Sequence, residues 1–196
     1  MPNKGRLKEP AVELLKKAGL ILGENGRCLS NKVEGENIVV QSFRAKDIPL
    51  YIAEGAVDVG ITGYDIWKES RLELKELLDL KFGYCDLILA GVAGKKIKRG
   101  VRVGTSFPML TANYFARQGI AARIIEVSGA VEILPKLGIA DFVVDLTSTG
   151  ATLRENGLVV LDKILSSSAR LLCRRMKEKN VKFAERLREV IENENL

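Results

Sequence analysis

The stretch "DFVVDLTSTGATLREN", residues 141–156, sets an apolar β-rich run, a carboxylate, four hydroxyl side chains and a glycine in close succession. Phe142, Val143 and Val144 read as a buried strand, and Leu153, Glu155 and Asn156 as part of a short helix. A helix start that follows a parallel strand offers unpaired backbone N–H groups and the positive end of the helix dipole, which together favour an anion. Gly150 permits close backbone approach. Thr147, Ser148, Thr149 and Thr152 add the hydroxyl donors that a phosphate with several acceptor oxygens requires. Asp145, at the strand end, would repel that phosphate unless it faces donors of its own, and ribose hydroxyls are the natural ones. Asp141 lies four residues earlier, on the same face by strand alternation, and is equally readable as a structural carboxylate. Thr152 and Glu155 also fit a capping box, in which case the hydroxyls merely start a helix.

Working outward, "VRVGTS" reads as a strand, Pro108 to Gln118 as a helix closed by Gly119, "ARIIEV" as a strand, and Ala130 to Leu137 as a helix closed by Gly138. This alternation predicts βαβ units and a largely parallel sheet. Upstream, Leu7, Ala11, Leu14, Leu15 and Ala18 share a helical face, with Gly19 ending the run. "NIVVQSF" (37–43), "VDVGITG" (57–63) and "DLILAGV" (86–92) read as strands, and "KDIPLYIAEGA" as a helix. The basic, glycine-bounded "AGKKIKRG" is the candidate lobe boundary. After Gly157, "LVVLDKILSSSARLLC" reads as a long strand or strand pair that returns to the first lobe, and Lys177 to Ile191 as an amphipathic helix. The expected division is therefore 1–93 plus about 164–196 for one lobe and 94–163 for the other.

Composition excludes whole classes of chemistry. The 196 residues are 46% hydrophobic and 29% charged, without an apolar N-terminal signal region or a run approaching the roughly 20 apolar residues that span a bilayer, so the expected place is the cytoplasm, with no membrane partner. The chain contains no histidine, which removes Ser-His-Asp and Cys-His nucleophile systems and histidine-ligated zinc. Cys28, Cys85 and Cys173 are odd in number and widely spaced, and read as reduced thiols. There is neither G-x-x-x-x-G-K-[ST] nor G-x-G-x-x-G. Much of the net charge of +6 gathers in Arg170, Arg174, Arg175, Lys177, Lys179 and Lys182, beside a single aromatic, Phe183. Such poor aromatic interleaving points to a solvated or subunit-contacting face rather than to nucleic acid.

The order apolar strand, Asp, then T-G-x-T resembles the phosphoribosyl pyrophosphate loop of phosphoribosyltransferases. The wider "GIADFVVDLTSTGATLRENGL" is similar to the ATP phosphoribosyltransferase family of histidine biosynthesis. "PNKGRL", "AKDIPLYI", "GAVDVGITGYDIW", "LKFGYCDLILAG" and "SGAVEILPKLGIAD" follow in the family's order through most of the chain. The resemblance implies an α/β, two-lobed fold like that of type II periplasmic binding proteins, with the active site in the interlobe cleft. It implies that N1 of ATP's adenine joins C1 of phosphoribosyl pyrophosphate to give phosphoribosyl-ATP and pyrophosphate, with Mg2+ required and no metal-ligating residue assigned.

By the same resemblance Arg6 and Arg27 act on the leaving group. Thr147, Ser148, Thr149, Gly150, Ala151 and Thr152 hold the donor's 5-phosphate, and Asp145 with Asp141 its ribose hydroxyls. Lys4 and Gly5 help to hold phosphate, and Asp47 lies near the adenine or caps the helix that follows it. Only Met1 and Pro2 precede Asn3 where the family carries a short apolar strand, and the chain is similar to the short form, which lacks the regulatory domain. That form implies a homodimer assembled with a regulatory subunit resembling histidyl-tRNA synthetase. A competing reading of the same residues is a non-catalytic cytoplasmic binder or sensor of a phosphorylated small molecule.

Overall fold

The computed structural model describes residues 1–20, 30–33 and 35–194. In chain order the elements begin with α1 (Lys8–Lys17), β1 (Ser30–Lys32), β2 (Val39–Gln41), α2 (Ile48–Ala53), β3 (Val59–Gly63), α3 (Tyr64–Ser70) and β4 (Lys75–Asp79). There follow β5 (Cys85–Gly91), β6 (Val101–Thr105), α4 (Pro108–Arg117), β7 (Ala122–Glu126) and a single 3-10 turn (Val131–Ile133). The chain continues through β8 (Phe142–Thr147), α5 (Ala151–Glu155), β9 (Val159–Ser167), β10 (Ala169–Cys173) and α6 (Glu178–Glu194). It divides into two compact units, Met1–Tyr84 with Ser168–Leu196, and Cys85–Ser167.

In the first unit β10 lies between β3 and β4, antiparallel to both. Leu171 and Ala169 of β10 join Ile61 of β3 in a core that also takes Ala11, Leu14 and Leu15 of α1 and Ala184 and Leu187 of α6. These positions recur every three or four residues on each helix, so a single stripe faces the core. Arg186 of α6 ties the two helices by donating from Nε to the Ala18 carbonyl at 2.6 Å, which satisfies an acceptor left over at the end of α1. At the start of the chain Asn3 N donates to Phe43 O and Phe43 N donates to Met1 O, so residues 1–3 run as a parallel bridge beside the strand end at 41–43.

The second unit is one five-stranded sheet, β7-β6-β8-β5-β9, covered on both faces. Leu87 and Leu89 of β5 point to the face that carries Phe107 and Phe115 around α4. Their neighbours Ile88 and Ala90 point to the other, against Val131, Leu134, Leu153 and Leu158. This is why "DLILAGV" reads as an unbroken apolar run: a strand buried on two sides has no polar face.

Several expectations need correction. The sheet is not wholly parallel: β6 is parallel to β7 and β8, while β5, between β8 and β9, is antiparallel to both and alone runs against the other four strands. The link from β5 to β6 has no crossover helix, whereas α5 lies in the connection that returns β9 in the same sense as β8. The helix expected over 130–137 is a 3-10 turn followed by further turns. The boundary between units falls at Tyr84/Cys85 and Ser167/Ser168 rather than after residues 93 and 163, because β5 and β9 both pair within the second unit's sheet. The run 158–173 is a strand pair interrupted at Ser168, with β9 in one unit and β10 in the other. Cys85 and Cys173 are buried and outside any disulfide; Cys28 lies outside the described residues.

Candidate active site

β8 ends at Thr147, and the chain turns through Ser148 and Thr149 to Gly150, whose φ of 71° is a conformation that only glycine adopts without strain. Thr147 Oγ1 accepts the Gly150 N–H at 2.8 Å, and Thr149 Oγ1 accepts the Ala151 N–H at 3.4 Å. Arg154 closes the turn by donating from Nη1 to the Thr149 carbonyl at 3.0 Å. Both hydroxyl oxygens thus accept from the backbone, which leaves their hydrogens to be donated. Ser148, Thr149 and Thr152 are exposed. The capping box is not formed: the residue that caps α5 is Gly150, with no side-chain cap bond, and Thr152 already lies inside the helix. The start of α5 is held instead by the Thr147 and Thr149 hydroxyls.

Asp145 sits two residues before the turn, half-buried. Burial pushes its carboxyl above the ordinary carboxylate range, and the Leu146 N–H, which donates to Oδ1 at 2.8 Å, opposes that only in part. No cation among the described residues forms an ion pair with it. A carboxylate that is desolvated and unpaired has an unmet demand for donors.

Asp141 does not share that situation. It precedes β8, and its carboxylate is turned to Arg102: Oδ2 accepts from Arg102 N at 3.0 Å and from Nε at 3.1 Å, and Oδ1 from Nη2 at 3.1 Å. Lys95 Nζ donates to Oδ1 at 3.0 Å. The Arg102 hydrogen bonds, side-chain first, hold the Asp141 carboxyl far below the ordinary range. Asp141 thus differs from Asp145 in that both of its oxygens already accept from Arg102 and Lys95.

In the first unit the turn Lys4–Gly5 leads to Arg6, with Lys4 and Gly5 exposed. Arg6 donates from Nη2 to Asp65 Oδ1 at 2.9 Å and from Nε to the Gly83 carbonyl at 3.1 Å. Gly63 makes this pairing possible, because a Cβ there would lie 2.3 Å from Asp65 Oδ1 and 3.2 Å from Arg6 Nη2. Asp47 precedes α2 and makes no side-chain cap bond, so the capping alternative is not realised. Thr62 Oγ1 donates to the Ala45 carbonyl at 3.0 Å, which fastens the loop leading to Asp47 onto β3. Arg27 lies outside the described residues.

Lys4, Gly5, Arg6 and Asp47 belong to the first unit; Asp141, Asp145 and the 147–152 turn belong to the second. Sequence reasoning missed Asp65, Arg102 and Arg154. Arg154 had a usable signal, a cation one turn beyond the hydroxyl cluster; Asp65 and Arg102 had none without their distant partners. A cavity of about 800 Å³ in the first unit, lined by β2, α2 and α6, includes none of the nominated residues. Among the described residues no three acidic or thiol side chains gather as a metal cage. A Mg2+ bound through substrate phosphates does not require one.

A two-unit α/β protein with a sharp hydroxyl turn after a strand-end aspartate has the form of a phosphoribosyl-binding protein on a periplasmic-binding-protein-like fold. The arginine-bound arginine-binding protein of Thermotoga maritima shares that fold, with a TM-score of 0.57 at 14% identity, 94% of this chain and 79% of that one being covered. The family model for ATP phosphoribosyltransferase matches residues 44–193. The chain is 44% identical over 199 residues to the ATP phosphoribosyltransferase of Methanocaldococcus jannaschii, covering 97% of this chain and 69% of that protein. It is 35% identical to a chain of the ATP phosphoribosyl transferase (HisG:HisZ) complex from Thermotoga maritima, with a TM-score of 0.87 and coverage of 98% and 97%. The chain belongs to the ATP phosphoribosyltransferase family, pentosyltransferases of histidine biosynthesis. It spans between 62% and 70% of the length of the curated relatives it matches.

Proposed function

We propose that this chain transfers the phosphoribosyl group of phosphoribosyl pyrophosphate to N1 of ATP, and that the 147–152 turn with Asp145 is where the donor is held. The observation that supports this reading is the pairing of hydroxyls at Thr147 and Thr149, each with a hydrogen still to donate, with a desolvated carboxylate that has no cation paired to it among the described residues, two residues before Thr147. The 5-phosphate takes the hydroxyls of the turn and the backbone N–H groups other than those of Gly150 and Ala151, and the ribose hydroxyls supply the donors that Asp145 lacks.

In the reaction the adenine N1 lone pair forms a bond to C1 as the bond from C1 to the pyrophosphate oxygen breaks, and N1 needs little general-base help. Charge builds on the departing pyrophosphate, so its stabilisation is the main catalytic task. Arg6 and Arg27 carry that task in this proposal, with Lys4 and Gly5 contributing to phosphate binding and Asp47 lying near the adenine. Arg6 suits it because a guanidinium held on one edge by Asp65 and Gly83 is already oriented. Mg2+ carried on the donor's phosphates adds to the neutralisation of that charge. Asp141 serves by fixing Arg102 and Lys95 at the entry to β8.

The proposal extends to a cytoplasmic enzyme that forms a homodimer and assembles with a histidyl-tRNA-synthetase-like regulatory subunit. The relative from Thermotoga maritima is a two-component complex, which supports the hetero-oligomer. No helix among the described residues is long and apolar enough to cross a membrane. The test is formation of phosphoribosyl-ATP from ATP, phosphoribosyl pyrophosphate and Mg2+, followed by ultraviolet absorbance. It is run with the chain alone and again with a regulatory subunit of this kind. Absence of product in both would leave a binder of phosphorylated ligands in place of a transferase.

A further inference from the structure

The basic cluster after β10 sorts into two kinds of side chain. Arg170 is consumed within the sheet by Glu76 and Asp79, Lys177 and Lys179 by Asp58, and Lys182 by Glu178. Arg174 and Arg175 are exposed and form no ion pair among the described residues. Instead they line a cavity of about 770 Å³ together with Lys68, Arg71 and Lys75, against a single carboxylate, Glu73.

The backbone brings these five cations together from three separate places. Lys68 belongs to α3, Arg71 and Lys75 to the turn and strand that follow it, and Arg174 and Arg175 to the exit of β10. The register explains the meeting, since Cys173 pairs with Lys75, so the residues after β10 emerge beside the start of β4. Arg71 is held in the left-handed region, at φ 59°. For a residue with a long side chain that conformation costs energy and persists only where surrounding structure fixes it. Lys68 Nζ lies 3.7 Å from the Trp67 ring centroid and 4.9 Å from that of Tyr64, so aromatic faces are its neighbours.

We propose that this cavity is a binding site for a small polyphosphate-bearing anion, separate from the turn assigned to the ribosyl donor. Five cations converging on one carboxylate repel one another, and an anion with several charged oxygens relieves that repulsion. Three of the five are arginines, whose planar forks match phosphate oxygens in pairs. A concave space of this volume is within the range of small-molecule pockets, whereas an acidic protein segment requires no cavity. The site lies at the opposite end of β10 from Arg6 and Asp65: Ala169 pairs with Gly63 at one end and Cys173 with Lys75 at the other, about 13 Å away at roughly 3.3 Å per residue.

Trp67 is the chain's only tryptophan and lines the cavity, so its fluorescence reports on this region, and the Arg174 and Arg175 variants assign the signal to the site. Inorganic tripolyphosphate titrated into the full chain at physiological salt should give a saturable change in that fluorescence. Arg174→Ala with Arg175→Ala should weaken the binding at least about tenfold. The pair Arg174→Lys and Arg175→Lys, which keeps the charge and loses the forks, should fall between. Thr149→Ala with Thr152→Ala should leave this titration unchanged, which separates it from any failure of the donor site. A flat titration, or one indifferent to Arg174 and Arg175, would overturn the proposal. So would saturation by poly-glutamate but not by tripolyphosphate, which would mark a docking surface for an acidic protein.

Discussion

Arg6 and Asp65 meet at 2.9 Å, with the Asp65 side chain fully buried and that of Arg6 30% exposed. The carboxylate is therefore enclosed in the core of the first unit while the guanidinium reaches solvent with one edge still available. Removing the arginine leaves a buried charge without this partner. Arg6→Ala is expected to lower the unfolding free energy by about 3 kcal/mol as well as turnover, read by urea denaturation and by product formation. Asp65→Asn keeps the shape and removes the charge, so it should reduce turnover while leaving the KM for ATP nearly unchanged. Full turnover in Asp65→Asn would show that Arg6 needs no positioning.

That pairing also marks the limit of what could be read from the chain. The apolar run before the turn placed β8, and the unbroken run at 86–92 placed β5, because a strand buried on both faces leaves a local signature. The hydroxyl turn was legible for the same reason: its hydroxyls, its glycine and Asp145 are neighbours in sequence. Asp65 was not, since its partner is 59 residues away and a lone aspartate in "ITGYDIW" looks like any helix-start carboxylate. Sheet order was illegible on the same ground. β10 lies between β3 and β4 although about ninety residues of chain separate it from β4, and no local period encodes a non-local pairing.

Asp145 and Asp141 titrate in opposite senses, and the difference separates their roles. The raised carboxyl of Asp145 means that its contribution to stability is fully present below the unfolded value of about 3.9 and is lost as pH rises through the folded value. At neutral pH the ionised group therefore opposes folding. Asp145→Asn should leave the urea midpoint at pH 7 unchanged or higher, yet weaken donor binding about tenfold. Donor affinity of the natural chain should fall as pH drops through the raised value, and that fall should vanish in Asp145→Asn. A marked loss of stability in the variant would mean that Asp145 is a structural residue.

The lowered carboxyl of Asp141 reverses the sign. Its contribution is present above about 3.9 and is lost only as pH falls through a value well below the carboxylate range. Asp141→Asn should lower the midpoint of urea unfolding at pH 7, with the deficit shrinking in strong acid, while the KM for the donor changes little. A rise in KM without a loss of stability would return Asp141 to the ribose site.

The turn itself makes the remaining prediction. Thr149 and Thr152 are exposed, and their hydroxyls anchor no part of the core, so replacing them removes donors without opening a cavity. Thr149→Ala with Thr152→Ala is expected to weaken phosphoribosyl pyrophosphate binding by about tenfold or more, since hydrogen bonds to a charged phosphate are the stronger kind. ATP binding should change much less, because only the donor's 5-phosphate is assigned to this turn. Calorimetric titration of each ligand in turn decides it: equal losses for both would place ATP on the turn as well. Loss confined to the donor would tie its 5-phosphate to the residues that follow β8.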